Sequence, residues 1–300
     1  MCKPLRYSKY IMFGIAVMIL LQSNSSECFA QLNATVFEDF SQFIVNPYLI
    51  NPSATDSSYS FKICANNINE LGLIKNVSRF YIDGDKRINS SRKNGFHFIG
   101  LQAINSKQGD YISRSRMQAH YSWFAQVSKK AFLSSGVSLG FINYAFLTTQ
   151  GGTGGSDYAP DGSIGIHYVR PNTFIGLAIQ QVFTSVLIPV NQSFRLSRLY
   201  NLDLSHHFDV GPRTNLAVYG MVQQPDKGNT IYSLGLLSEI SNVVLVGVND
   251  FSLRKTSFNL GVKQIRLLGA EFMFMTTYSI YHGSFPLPDN SLELFIVLQK

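Results

Sequence analysis

The residues whose types and spacing could do chemistry are few, and each group lacks a necessary companion. Gly151-Gly152-Thr153-Gly154-Gly155 has the glycine density of a phosphate-cradling loop. No Gly-Lys-Ser/Thr follows it, and no strand–helix context surrounds it, so it reads as a flexible external loop. His206 and His207 are adjacent. On a strand, neighbours point to opposite faces and cannot readily share one metal ion. His120 and Ser122 do share a face, as a hydrolase needs, but His97, His167 and His282 stand alone in separate segments. No Gly-x-Ser-x-Gly elbow is present. The expectation is no catalytic residue, no metal site and no cofactor.

The elements that carry these residues begin with an export signal. Lys3, Arg6 and Lys9 precede an apolar run from Tyr10 to Leu21, and Cys28-Phe29-Ala30 supplies small residues for a cleavage site. That is the layout of a secretory signal peptide over residues 1–30, cut after Ala30 to leave Gln31 first. Cleavage would lower the formal charge from +7 to +5 and leave Cys64 as the one cysteine, which excludes an internal disulfide. The modest basic bias has no nucleic-acid motif behind it. It suits a surface that meets anionic lipid headgroups.

Composition separates the chain from ordinary soluble proteins. Charged residues make up 14% and aromatics 13%, against about 25% charged in a typical globular domain. Past the signal there is no apolar stretch of the length a membrane-spanning helix needs. Apolar residues instead alternate. Val137, Leu139 and Phe141 interleave with Gly136, Ser138 and Gly140; Phe258, Leu260 and Val262 interleave with Asn259, Gly261 and Lys263. Period two means two strand faces, one apolar and one small or polar. The reading is an all-β transmembrane antiparallel barrel of about 14 strands. The segments centre near residues 62, 76, 100, 122, 138, 166, 176, 203, 219, 234, 246, 260, 274 and 295.

Turn chemistry is expected at Asp83-Gly84, Val210-Gly211-Pro212, Pro225 to Gly228, and Pro286 to Asn290. Two long external connections are expected, Phe146 to Asp161 and Leu187 to Ser197. Residues 31–57 precede the barrel of residues 58–300 and are expected to plug the lumen or cap the periplasmic mouth. Polar residues of the small face, such as Gln118, Gln126, Asn259 and Lys263, either tune a pore or fill the interior by mutual hydrogen bonding.

One segment is sharper than the rest. Phe40-Ser41-Gln42-Phe43-Ile44-Val45-Asn46-Pro47-Tyr48-Leu49-Ile50-Asn51-Pro52-Ser53-Ala54 closely resembles the N-terminal signature of the PorP/SprF family of type IX secretion membrane proteins. Its two Asn-Pro pairs are rigid turn starts, because proline fixes its own φ and extends the residue before it. The resemblance runs on. Phe98 to Asn105 looks like the family's third strand, and Pro160-Asp161-Gly162-Ser163-Ile164-Gly165 like its "P-D-x-x-x-G" strand opening. Phe174-Ile175-Gly176-Leu177-Ala178 is similar to the next strand, and Asn290 to Leu294 to the closing strand, with Leu292 where histidine is common.

The resemblance implies an outer-membrane barrel of Bacteroidota-type cells, working in type IX secretion, in gliding motility or in anchoring a secreted adhesin. It implies outer-membrane lipid and a secreted adhesin or its C-terminal domain as partners. For some members it adds a periplasmic peptidoglycan-binding protein. The signature residues Phe40, Ser41, Gln42, Asn46, Pro47, Asn51 and Pro52 then mark the N-terminal segment. Gly151, Gly155, Tyr158 and Arg195 are the candidate partner-binding positions of the external loops. A porin or substrate-specific channel is the competing reading, motivated by the polar face.

Overall fold

The computed structural model describes residues 41–72, 75–89, 95–147, 154–190, 193–252, 254–267, 269–282 and 290–300. These residues belong to one compact unit, Asn33–Lys300. The expected signal peptide, Phe40, Gly151 and most of the Pro286 to Asn290 turn lie outside them.

Alternating sequence gives alternating burial. Along β5 (Ala131–Phe146), Ser134, Ser138 and Ile142 are buried while Leu133, Val137, Leu139 and Phe141 are exposed. The outer face is the apolar one, the inversion expected when the surrounding medium is lipid. Aromatics are part of that outer face, with Tyr121, Trp123, Phe141 and Tyr158 all exposed.

Fourteen antiparallel strands close the barrel. The first six are β1 (Phe61–Leu71), β2 (Ser78–Asn89), β3 (Gly95–Gln108), β4 (Ile112–Ser128), β5, and β6 (Gly155–Arg170). β7 (Thr173–Gln180) then pairs with β10 (Leu199–Gly211), skipping a separate hairpin of β8 (Val186–Leu187) and β9 (Phe194–Arg195). The circuit continues through β11 (Thr214–Pro225), β12 (Ile231–Ile240), β13 (Val244–Phe251), β14 (Lys255–Leu267), β15 (Ala270–Tyr281) and β16 (Asn290–Gln299). β16 pairs with β1 from Lys62↔Gln299 to Leu71↔Asn290, so no edge strand is left.

The two rims differ. One carries the C-terminal residue and short turns such as 129–130, 171–172 and 212–213; the other carries 147–154 and 181–198.

Four expectations need correction. The second strand is not centred near residue 76, which lies in the β1–β2 connection with Asn76 at φ 62°. Asp83-Gly84 is no turn. Both residues sit in β2, where Asp83 points inward and is held by Asn46. The long connection after β5 is shorter than Phe146 to Asp161, because the ladder with β6 begins at Phe146↔Gly155. The stretch from Leu187 to Ser197 folds as the β8–β9 hairpin. Leu187 and Leu196 are buried against Ile142, Tyr144 and Ala159 of the lumen wall.

Candidate functional site: the N-terminal segment inside the barrel

Residues 41–55 run through the lumen as two 3-10 turns, Ser41–Ile44 and Pro47–Leu49, and an Asx turn. Pro47 opens the second 3-10 turn, where its missing N–H costs nothing. Backbone bonds from Asn46 N to Gln42 O (2.9 Å) and from Ile50 N to Pro47 O (3.1 Å) hold the coil together. Asn46 precedes the turn without capping it. Its carboxamide is thereby free to donate to Tyr81 OH (2.6 Å) and Asp83 Oδ2 (2.8 Å). Asn51 does cap its own turn, with Oδ1 accepting from Ser53 N (3.0 Å) and Ser53 Oγ (2.6 Å).

The segment is bonded to the wall along its whole length. Ser41 N donates to Glu293 Oε2 (3.3 Å), and the Gln42 amide donates to Thr277 Oγ1. Asn51 Nδ2 reaches Ile166 O (3.2 Å) and Asp203 Oδ1 (3.4 Å). From the wall, Gln180 donates to Leu49 O (3.1 Å), Asn201 to Ile50 O (3.0 Å) and Ser134 to Ser53 O (2.7 Å). Tyr48 packs on the His120 ring with centroids 4.1 Å apart. Phe43, Ile44, Leu49 and Ile50 pack with Cys64, Ile68, Tyr81, Leu237, Leu245, Phe251, Met275 and Phe295. Burying each of those four apolar side chains contributes about 1.5–3 kcal/mol.

Three glycines make the socket for the Asn51-Pro52-Ser53 turn. A Cβ on Gly165 would land on the Asn51 amide and on Pro52, and one on Gly176 would meet Asn51 Nδ2 and the Asp203 carboxylate. One on Gly136 would sit 2.5 Å from Pro52 O. The three lie on β5, β6 and β7, which are consecutive around the wall. Glycine is required there by close approach of another backbone, not by a positive φ.

The motifs scattered along the sequence therefore meet in space. Asn51 of the N-terminal segment, Gly165 that ends the Pro160-to-Gly165 motif and Gly176 of the following strand form one contact. Glu293 of the last strand is fully buried and accepts from Ser41 and from Asn66 (2.5 Å). A family model described as "Type IX secretion system membrane protein PorP/SprF" matches residues 35–297. The chain belongs to the PorP/SprF family.

No curated protein matches the chain. Among solved structures, the toluene transporter TbuX of Ralstonia pickettii is similar at 12% identity, covering 84% of this chain and 92% of its own, with a TM-score of 0.55. The CymD monoaromatic hydrocarbon channel matches at 14% identity, 87% and 92% coverage, and a TM-score of 0.51. The Pseudomonas putida toluene transporter TodX matches at 9%, with 89% and 94% coverage and a TM-score of 0.50. At such identities the likeness establishes the fold, that of outer-membrane barrels.

The other candidate residues of this PorP/SprF chain do not converge on a reactive centre. His206 and His207 do face opposite ways: His206 bonds Thr173 (2.8 Å), while His207 packs on Phe174 and Tyr219. His120 and Ser122 are both buried in the lumen, with the Tyr48 ring tilted against the imidazole. Among the described residues, no group of three or more His, Cys, Asp and Glu is arranged to hold a metal ion. Gly155 opens β6 and approaches Pro189 O, Tyr158 projects outward beside Phe141, and Arg195 is exposed on β9. Of the small-face residues, Gln118 donates to Asp161 (2.9 Å), Asn259 to Asn249 (2.8 Å), and Lys263 pairs with Glu239 (2.6 Å).

Sequence reasoning marked the segment but not its receptor. Gly136, Gly165 and Gly176 read only as small residues alternating with apolar ones. Asn201 and Asp203 read only as a polar face. The available signal was the glycine at one position on each of three successive strands.

Proposed function

We propose that this protein is a non-enzymatic outer-membrane component of type IX secretion that supports export or surface anchoring of a secreted adhesin. Residues 41–55 act as the plug of its lumen. The observation that carries this reading is the plug itself. A solute channel needs a luminal path, and here the lumen holds a segment hydrogen-bonded to residues of β2, β4, β5, β6, β7, β10, β14, β15 and β16. Outer-membrane barrels put short turns in the periplasm and longer loops outside. By that rule the rim with 147–154 and 181–198 faces the exterior, and the adhesin is met there, by Gly151, Gly155, Tyr158 and Arg195. A cleaved signal over residues 1–30 delivers the chain, and the short-turn rim is available to a periplasmic peptidoglycan-binding partner.

The test is genetic. Deleting the gene should abolish surface display of a partner adhesin and leave it in the periplasm or lost to the medium. Unchanged export and attachment of every adhesin would sink the proposal.

A further inference from the structure

The short-turn rim encloses a cavity of about 820 Å³ that plugging alone does not use. Its volume is in the range of ligand-binding pockets. Phe43, Ile44 and Pro47 of the N-terminal segment line it, so the plug is one of its walls. Another wall is aromatic. Phe174 lies against His167 (6.0 Å, stacked) and His207 (5.5 Å, edge-on), and His207 against Tyr219 (6.0 Å). These four rings come from β6, β7, β10 and β11, which are consecutive in the barrel, so they form one arc.

The cavity also carries charge. Lys129 and Lys130 form the β4–β5 turn, and Arg170 ends β6. β5 starts at Ala131 and pairs Phe132 with Val169, so Arg170 lies on the neighbouring strand, about 5 Å across from the start of β5. All three are exposed, and among the described residues none has an ion-pair partner. Lys263, by contrast, is held by Glu239. Deeper in, His167 lines the cavity while buried. Its Nδ1 has no hydrogen-bond partner, and its Nε2 has only the Asp203 carboxylate at 3.5 Å. A buried polar atom left without a partner is costly unless something supplies one. Asp56 is the one exposed carboxylate among the lining residues, so the site offers an aromatic interior, an unused polar atom within it and a rim on which three cations, unpaired among the described residues, outnumber that carboxylate.

We propose that this vestibule binds an extended acidic peptide segment of a periplasmic protein. An aromatic side chain of the peptide packs into the ring arc, and its carboxylates meet Lys129, Lys130 and Arg170. The choice of a polypeptide over a small amphiphile, and of the periplasmic side, rests on the secretion reading. The cavity, the rings and the charges do not. Complementary charge at the rim speeds encounter and selects against basic segments, while aromatic burial supplies holding strength.

The experiment uses the full-length barrel purified in detergent and a short fluorescein-labelled peptide of glutamates flanking paired phenylalanines. Fluorescence anisotropy should show saturable binding that weakens with added salt. The variant Lys129→Glu/Lys130→Glu/Arg170→Glu should bind about tenfold or more weakly, and Phe174→Ala should also weaken binding. Exposed turn charges leave the barrel intact, which heat-modifiable gel mobility checks. Absent saturation, equal affinity in the triple variant, or equal binding of a lysine-for-glutamate peptide would overturn the proposal. So would displacement of the peptide by laurate at lower concentration than by unlabelled peptide, which would assign the cavity to a small amphiphile. Markedly tighter binding on deleting residues 31–40 would assign it to the chain's own leading segment. None of these failures touches the secretion reading, which adhesin display tests separately.

Discussion

Two pieces of chain fill this barrel, and they do so by different physics. The N-terminal segment is fastened by directional bonds: Asn46 to Tyr81 and Asp83, Asn51 to Ile166 O and Asp203, Ser41 to Glu293. The β8–β9 hairpin, near the long-connection rim, is fastened mainly by apolar burial of Leu187 and Leu196 on Ile142, Tyr144 and Ala159, with two bonds to β6 from Ser185 Oγ and Ile188 N. The lumen wall where the first lies combines those polar groups with an apolar patch around Leu245, Phe251, Met275 and Phe295, whereas the wall under the second is mainly apolar. Directional bonds fix register and orientation, and each is worth only about 0.5–1.5 kcal/mol net. Apolar burial stabilises more per residue but specifies less. The barrel therefore has one precisely registered filling and one that is held mainly by area.

That contrast can be broken at several points. The largest effect is expected in the hairpin. Leu187→Ala removes a fully buried side chain and should cost about 2–5 kcal/mol locally. Limited trypsin digestion should then cut after the exposed Arg195 much faster than in the parent, with the barrel otherwise intact. In the N-terminal segment, Asn51→Ala removes the bonds to Ile166 O and Asp203 and opens the Asx turn, at a cost of about 1–3 kcal/mol. Thermal unfolding in detergent, followed by circular dichroism, measures it. Gly165→Ala drives a Cβ into the same Asn51 amide and should cost a similar ~1–3 kcal/mol. Because both act on one contact, the double variant should lose clearly less than the sum of the two. Full additivity would mean that the glycine socket does not exist. Smallest of all, Tyr158→Ala on the outer face should change stability within about 0.5 kcal/mol, although the loss of adhesin display would mark it as a contact residue.

The strands were legible because alternation survives wherever the lumen face is small or neutral, as along Val137 to Phe141. It failed at β2. There the inward residues Tyr81, Asp83 and Asp85 are large or charged, and Asp83-Gly84 mimics a hairpin turn. Only the closed lumen, with Asn46 waiting opposite Asp83, makes an inward carboxylate tolerable. The start of β6 was hidden for a local reason, since Gly154-Gly155 reads as loop while its pairing with Phe146 is a tertiary fact. Strands as short as Val186–Leu187 and Phe194–Arg195 offer no period to read. The site was half legible. The Asn-Pro pairs announced a structured segment, but which glycines and which acids receive it depends on β5, β6, β7 and β10 being neighbours.

Residues 41–55 are proposed to close the lumen of a family member that works in secretion rather than solute conduction. Planar-bilayer conductance of the purified protein tests it most directly, alongside a variant lacking residues 41–57 whose folding is checked by heat-modifiable mobility. The intact chain should be silent or nearly so, and the deletion variant should conduct as an unplugged barrel. Steady ohmic conductance of the intact chain, equal to that of the variant, would contradict the account.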